Sequence, residues 1–283
     1  MFETFSTTRL SKKDFHKLKN LVEDTLGIKM PETKQLMLEA RLRKRLRNLN
    51  MSSYSEYCDF LFSDEGQSNE LVHMLDVTTT NKTEFFRESR HFEFLTNQAI
   101  SEILRNFNIS NDRNIKMWSA GCSTGEEPYT IAMVLSNFID NRKHLDYRIF
   151  ATDISTKVLS TAENGIYEIE KVDVIDYEMK KKYLLKSKDP KKKLVRIIPE
   201  LRKRVIFQRM NLISEDFCKH GKFHIIFCRN VMIYFNKENQ KRVVKKFYDA
   251  LEKNGYLFIG HSETLLTVDL PLIQRAPSVY QKV

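Results

Sequence analysis

The chain has only four cysteines in 283 residues, Cys58, Cys122, Cys218 and Cys228, and no CxxC pair among them. That spacing argues against a structural metal or a disulfide framework and suits a reducing cytoplasm. No apolar run approaches the ~20 residues of a membrane-spanning helix, and Met1–Arg9 lacks the apolar core of a signal peptide. A cytoplasmic protein without membrane insertion is therefore expected. The seven histidines are dispersed and no H-E-x-x-H occurs, so no metal centre is expected. Ser119 and Ser123 lack the G-x-S-x-G elbow of a hydrolase. The G-x-G-x-x-G fingerprint that a hydride-transferring dinucleotide enzyme would carry is also missing.

What is present is an ordinary globular composition, 41% hydrophobic and 30% charged, with room for one α/β domain and a smaller companion. The net charge of +10 is concentrated. Residues 9–50 carry 12 Lys/Arg against 5 Asp/Glu, and residues 171–204 carry 13 against 5, so the remaining sequence is net negative. Two basic patches imply an acidic partner. No zinc-finger, RRM or KH pattern accompanies them, so an acidic protein surface fits as well as nucleic acid.

The first 77 residues read as an all-helical domain of four helices. Ser11 with Asp14 marks the first start, Phe15, Leu18, Leu21, Val22 and Leu26 mark its apolar face, and Gly27 its end. A second stripe, Leu38, Leu42, Leu46 and Leu49, is surrounded by Arg41, Lys44, Arg45 and Arg47. Tyr54–Phe62 and Asn69–Leu75 read as shorter helices. The hydroxyl-rich stretch from Thr78 reads as a linker, with Thr83 capping a helix from Phe85 to Leu95, so that 78–96 joins the domains and lines the site. From residue 97 the pattern is α/β, interrupted at 165–205 by a lysine-rich inserted subdomain with a hairpin.

The α/β part predicts its own ligand corner. The apolar strand Ile115–Trp118 runs through Gly121 and Gly125 into a helix that begins near Glu127. Two glutamates at that helix start would repel a pyrophosphate, so the corner suits a neutral or cationic cofactor. Ligands of open α/β sheets bind at the carboxyl ends of the strands. Asp153 ends the next strand and is placed for ribose hydroxyls, a helix cap or a simple turn. Asn211 follows the strand Val205–Gln208 and reads either as a cofactor contact or as a cap. Phe223–Cys228 is a third strand, followed by Arg229, Asn230 and an apolar loop to Phe235 that includes Tyr234. Lys237–Lys253 reads as an amphipathic helix, Gly255–Gly260 as a strand, and Gln274–Lys282 as a closing edge strand. His224 reads as packing and His261 as a pocket candidate.

Five separated motifs, in order, resemble those of the bacterial chemotaxis receptor methyltransferases of the CheR type. They are Asn81–Arg87, Ser123–Tyr129, Ala151–Ile154, Phe227–Phe235 and Gly260–Glu263. The resemblance implies a Rossmann-like S-adenosylmethionine-dependent methyltransferase domain with a small inserted β-subdomain, behind a helical receptor-recognition domain. It implies methylation of glutamate side chains on chemoreceptor cytoplasmic helices, with S-adenosylhomocysteine as co-product and recruitment to membrane receptor arrays. By that analogy Glu127 lies near the methionine part of the donor, Asp153 holds the ribose, and Asn211 with Leu212 borders the adenine. Asn81, Thr83 and Arg87 line the pocket from the linker side, Gly121, Arg229 and Asn230 complete it, and Arg87 and Tyr234 stand closest to methyl transfer. The family's inserted subdomain can tether some receptors by a C-terminal peptide, and the lysine-rich insertion here departs from that pattern. The alternatives are a nucleic-acid methyltransferase, whose attack motif is missing around Cys228, and a non-catalytic donor-binding signalling module.

Overall fold

The computed structural model describes residues 9–106, 114–140, 145–189, 191–265 and 269–283. The reading of Met1–Arg9 lies, Arg9 apart, outside them. The chain forms two compact units, one of residues up to Thr80 together with Tyr234–Asn236, the other of Asn81–Ile233 and Lys237–Val283.

The first unit has five α-helices among the described residues: α1 Lys12–Leu26, α2 Gln35–Asn48, α3 Tyr54–Leu61, α4 Asp64–Asn69 and α5 Leu71–Thr78. The start and end of α1 are as the sequence suggests. Ser11 Oγ accepts the Asp14 N–H at 3.1 Å, and Gly27, at φ 66°, returns its N–H to Glu23. Four helices were expected and five occur, because the Ser63 hydroxyl caps a separate short helix by accepting the Gly66 N–H at 3.1 Å. The basic face of α2 is also partly internal. Arg41 Nη1 donates to the carbonyls of Thr78 (2.7 Å) and Thr79 (2.9 Å), satisfying the open end of α5. Arg45 grips the buried Glu70 carboxylate with two bonds, of 2.7 and 2.5 Å, and Tyr57 donates to the same group at 3.0 Å.

The second unit is built on strands β1 Asn114–Ala120, β2 Asp146–Asp153, β3 Ile166–Glu168, β4 Leu184–Lys186, β5 Leu194–Ile197, β6 Val205–Arg209, β7 Phe223–Cys228, β8 Leu251–Ile259, β9 Leu272–Ala276 and β10 Val279–Lys282. Its helices are α6 Arg90–Phe94, α7 Ile100–Asn106, α8 Glu126–Ile139, α9 Thr156–Asn164, α10 Tyr177–Tyr183, α11 Pro199–Arg202 and α12 Lys237–Ala250. The seven-stranded sheet runs β6-β2-β1-β7-β8-β10-β9. Its first five strands are parallel, and β10 is antiparallel to both neighbours. The winding reverses between β1 and β7, so the crevice for a ligand opens at their carboxyl ends. Ile225–Cys228 of β7 and Tyr256–Ile259 of β8 are continuous buried apolar runs because both faces of a parallel sheet are covered. Trp118 packs edge-on against Phe217 and Phe247 while its indole N–H donates to Thr152 Oγ1 at 2.9 Å.

Four expectations change. Gln274–Lys282 is not one edge strand. The chain reverses at Ser278, φ 59°, and the buried Val279 and Tyr280 put β10 inside the sheet with β9 outermost. Helix α12 stops at Ala250 instead of Lys253, because Leu251 already pairs with Phe223 as the start of β8. The strand after β5 extends one residue, to Arg209, which pairs with Asp153. Thr83 caps no helix: residues 85–89 form a turn, with φ of 55° at Phe86 and 56° at Glu88, and the helix begins at Arg90. The insertion is a three-stranded antiparallel sheet, β3-β5-β4, whose β4–β5 turn carries the lysine run; Pro190 lies outside the described residues.

Candidate functional site

At the end of β1 the chain turns through Gly121, φ 79°, against β2, with the N–H groups of Gly121 and Cys122 both bonded to the Thr152 carbonyl. A Cβ on Gly121 would stand 2.4 Å from Val231 Cγ2. The two glutamates that follow are buried, Glu126 1% and Glu127 9% exposed. Neither is a bare anion. Glu126 accepts from Thr124 Oγ1 at 2.6 Å and faces Lys171 Nζ at 3.5 Å. Glu127 accepts from Ser119 Oγ and from Arg229 Nε, both at 2.7 Å. The acidic helix start is thus charge-balanced from within.

Arg229, immediately after β7, is the centre of the site. Its Nη1 donates to the Arg87 carbonyl at 2.6 Å and lies 3.3 Å from His91 Nδ1 and 3.5 Å from Glu88 Oε2. The guanidinium is buried over the rings of Phe92 (5.2 Å) and Phe227 (5.7 Å). Arg87 itself is half-buried and donates through Nη1 to the Lys82 carbonyl at 3.0 Å. Asn230 has φ 58°, its N–H donates to Glu263 Oε2 at 2.9 Å, and its Nδ2 reaches Glu88 Oε1 at 3.4 Å. Glu263 also accepts the N–H groups of Gly260 (2.6 Å) and Ile233 (3.2 Å), pinning the loop after β7 to the end of β8.

Asp153 is 8% exposed. Its Oδ2 accepts the Ser123 N–H at 2.9 Å and its Oδ1 the Ser155 N–H at 3.0 Å, while the cap of α9 is Ser155, not Asp153. Ser123 Oγ in turn donates to the Asn81 carbonyl at 3.0 Å, which brings the 81–84 stretch to this corner. Thr83, in that stretch, is half-buried. Asn211 Oδ1 accepts the Ile213 N–H at 3.0 Å, closing a local turn, and Leu212 is buried beside it. Arg87, Glu127, Arg229 and Asn230 therefore share one network, and Asn81, Gly121 and Asp153 share the adjoining corner. Tyr234 groups by contact with the helical unit, where its carbonyl accepts the Lys29 N–H at 2.8 Å and Phe235 bridges to Ile28. His224 accepts the Lys116 N–H at 3.0 Å, and His261, exposed, donates its backbone N–H to Glu88 at 3.2 Å.

Sequence reasoning overlooked Ser119, Glu88, His91 and the role of Glu263, although Glu88 stands beside a quoted motif and Glu263 ends one. Glu88, His91 and His261 bring three potential metal-ligand atoms within 4.8 Å of one another. The Arg229 guanidinium already lies against two of those residues, so the cationic place there is taken by protein. Burial first and Arg229 second pull the His91 imidazole down to about 4, so it is neutral at physiological pH. Burial, reinforced by neighbouring acids, pushes the Cys122 and Cys228 thiols far above their ordinary range. They are neutral packing groups and not nucleophiles.

A Rossmann-like sheet with a reversed strand near its edge, an acidic first βα corner and an acid at the end of β2, joined to a separate helical unit, defines an α/β donor-binding transferase. Two family models match the chain: "CheR methyltransferase, all-alpha domain" over residues 13–79 and "CheR methyltransferase, SAM binding domain" over residues 81–276. The chain belongs to the CheR methyltransferase family, and it is an S-adenosylmethionine-dependent methyltransferase. Chemotaxis protein methyltransferases resemble it over most of their length. That of Borreliella burgdorferi is 40% identical over 90% of this chain and 89% of its own. That of Klebsiella aerogenes is 37% identical over 96% and 90%, and that of Escherichia coli 34% identical over 97% and 93%.

Proposed function

We propose that this chain methylates glutamate side chains on the cytoplasmic helices of chemoreceptors, producing glutamate γ-methyl esters. The observation that carries the reading is Arg87, a half-buried guanidinium whose backbone carbonyl is bonded to Arg229 beside the acidic β1–α8 corner. A glutamate with a pKa of ~4.3 is ionised at neutral pH, so its oxygen needs no general base. The reaction then requires orientation and removal of water from the acceptor carboxylate. Arg87, whose guanidinium donates to the Lys82 carbonyl, can turn its fork to that carboxylate. Tyr234 is assigned, by the family resemblance alone, to hold the incoming oxygen.

S-adenosylmethionine, when bound, supplies a methyl group on a sulfonium. The residues present fit it. Asn230 Oδ1 is buried without a hydrogen bond, an acceptor suited to the ammonium of an amino-acid moiety. Glu127 adds a carboxylate to that side, and Asp153, Asn211 and Leu212 are assigned to the ribose and adenine. Asn81, Thr83, Gly121 and Arg229 line or shape the corner. Residues 1–77 serve as the receptor-recognition domain, 78–96 line the site and 97–283 bind the donor, with the 165–205 insertion as a second docking surface. There the open edge of β4 can accept an extended receptor strand. Recruitment to membrane receptor arrays follows from that choice of substrate. The neutral buried Cys228 weighs against base methylation through a thiolate.

The test is incubation with methyl-labelled donor and receptor cytoplasmic fragments, followed by mild base. Label on the receptor that is released by base supports the proposal. Label on nucleic acid, or none on the receptor despite donor binding, overturns it.

A further inference from the structure

The turn that carries Arg87 is held in a conformation its residues do not favour. Phe86 and Glu88, on either side of it, have φ of 55° and 56°, a region that L-residues other than Asn and Asp seldom adopt. Such a turn persists only if its surroundings over-determine it. On one side the Phe86 N–H donates to Thr130 Oγ1 at 3.2 Å, and the Phe85 ring packs edge-on to Tyr167 at 5.0 Å. On the other side the anchoring group is Glu88. Its Oε1 accepts the His261 N–H (3.2 Å) and Asn230 Nδ2 (3.4 Å), and its Oε2 faces Arg229 Nη1 at 3.5 Å. The same Nη1 donates to the Arg87 carbonyl. Glu88 thus ties the turn to the ends of β7 and β8, elements far from it in sequence, and its Oε2 also faces His91 Nδ1 of α6 at 3.4 Å.

We infer that Glu88 is a positioning residue, which fixes the Phe86–Glu88 turn and through it the placement of Arg87. This rests on the reading that Arg87 orients the acceptor carboxylate. Glu88→Gln keeps the Oε1 acceptor but removes the charge facing Arg229, whereas Glu88→Ala removes both.

The experiment makes Glu88→Ala and Glu88→Gln in the native and Arg87→Ala backgrounds. It measures amide hydrogen exchange over residues 82–89 in the unliganded protein, S-adenosylhomocysteine affinity by calorimetry, and methyl transfer to receptor fragments at saturating donor. In Glu88→Ala the exchange of 82–89 should rise at least about tenfold while β1 and β7 stay protected. Turnover should fall by on the order of ten- to a hundred-fold when Arg87 is present. It should fall less than about twofold once Arg87 is already alanine, with product affinity within about threefold. Unchanged exchange over 82–89, or the same fold loss in both backgrounds, overturns the inference. If Arg87→Ala alone leaves turnover intact, the role of Arg87 falls, and the exchange data still decide whether Glu88 holds the turn. Should Glu88→Ala not fold, Glu88→Gln carries the same cycle, with a smaller effect in the same direction.

Discussion

Arg229 lies between two carboxylates drawn from different elements, Glu127 at the start of α8 and Glu88 in the turn before α6. Burying three charges is expensive, and such a cluster is commonly no better for stability than an apolar one. Its value here is geometric, since one guanidinium fixes the Arg87 carbonyl, the Glu127 carboxylate and the end of β7 together. The cluster also dictates the behaviour of His91. In an unfolded chain that imidazole titrates near its ordinary ~6.5, but in the folded protein burial and Arg229 hold it at about 4. Between those values the unfolded state binds more protons, so stability is fully present above ~6.5 and is lost as the pH falls toward 4. A difference of that size corresponds to roughly 3 kcal/mol. Urea titrations at steps between pH 7 and pH 4.5 should show the native protein losing more stability than His91→Gln over the same range. Parallel losses in the two proteins would show that His91 does not set the acid limit.

At the scale of elements, the β1–α8 corner depends on Gly121 for two separable reasons. The residue sits at φ 79°, and any side chain there meets Val231 Cγ2 at 2.4 Å. Gly121→Ala should cost about 1–3 kcal/mol of stability and weaken S-adenosylhomocysteine binding by about tenfold, because the loop after β7 must move away. Adding Val231→Ala relieves the collision but not the backbone strain, so calorimetry and thermal melting should show partial recovery only. Complete recovery would mean that crowding alone accounts for the glycine. The corner itself was legible in the sequence: largely apolar segments marked the parallel strands, and the rule that ligands bind at their carboxyl ends selected Gly121, Glu127, Asp153 and Arg229. The 85–89 turn was not, because its apolar residues have the spacing of a helix start. Its reversal at Phe86 and Glu88 depends on groups that lie 142 residues away for Arg229 and Asn230. For the same reason the glutamates of α8 could be read as acids but not as acids already paired with Ser119, Thr124, Lys171 and Arg229. The β9–β10 hairpin was hidden because its reversal occupies only Pro277 and Ser278, too short to break the apolar pattern on either side.

For the whole molecule, the net charge of +10 has a different meaning in its two concentrations. On α2 the arginines Arg41 and Arg45 are used within the helical unit, closing α5 and pairing with Glu70. The exposed cations of that unit that remain for a partner include Lys12, Lys13 and Lys17 on α1 and Lys44 on α2. In the inserted sheet, Lys186, Lys188, Lys191, Lys192 and Lys193 are all exposed, with Asp189 the acid among them. Charges of this kind steer an acidic partner over distances of about 10 Å, the screening length at ~0.1 M salt. They should act on encounter with the receptor and not on the methyl-transfer step. Raising salt from ~0.05 to ~0.3 M should therefore raise the KM for receptor fragments by on the order of tenfold, with kcat changed less than about twofold. Replacing Lys12, Lys13 and Lys17 by Glu together should reproduce the KM effect at low salt and flatten the salt dependence. The same reversal at Lys191, Lys192 and Lys193 measures what the inserted sheet adds. A receptor that docks only on the helical unit leaves that second variant at the native KM, whereas one that also adds a strand to β4 shows a rise in KM there as well. A kcat that falls with salt while KM holds would remove electrostatic docking from the account and place the charge effect in the site itself.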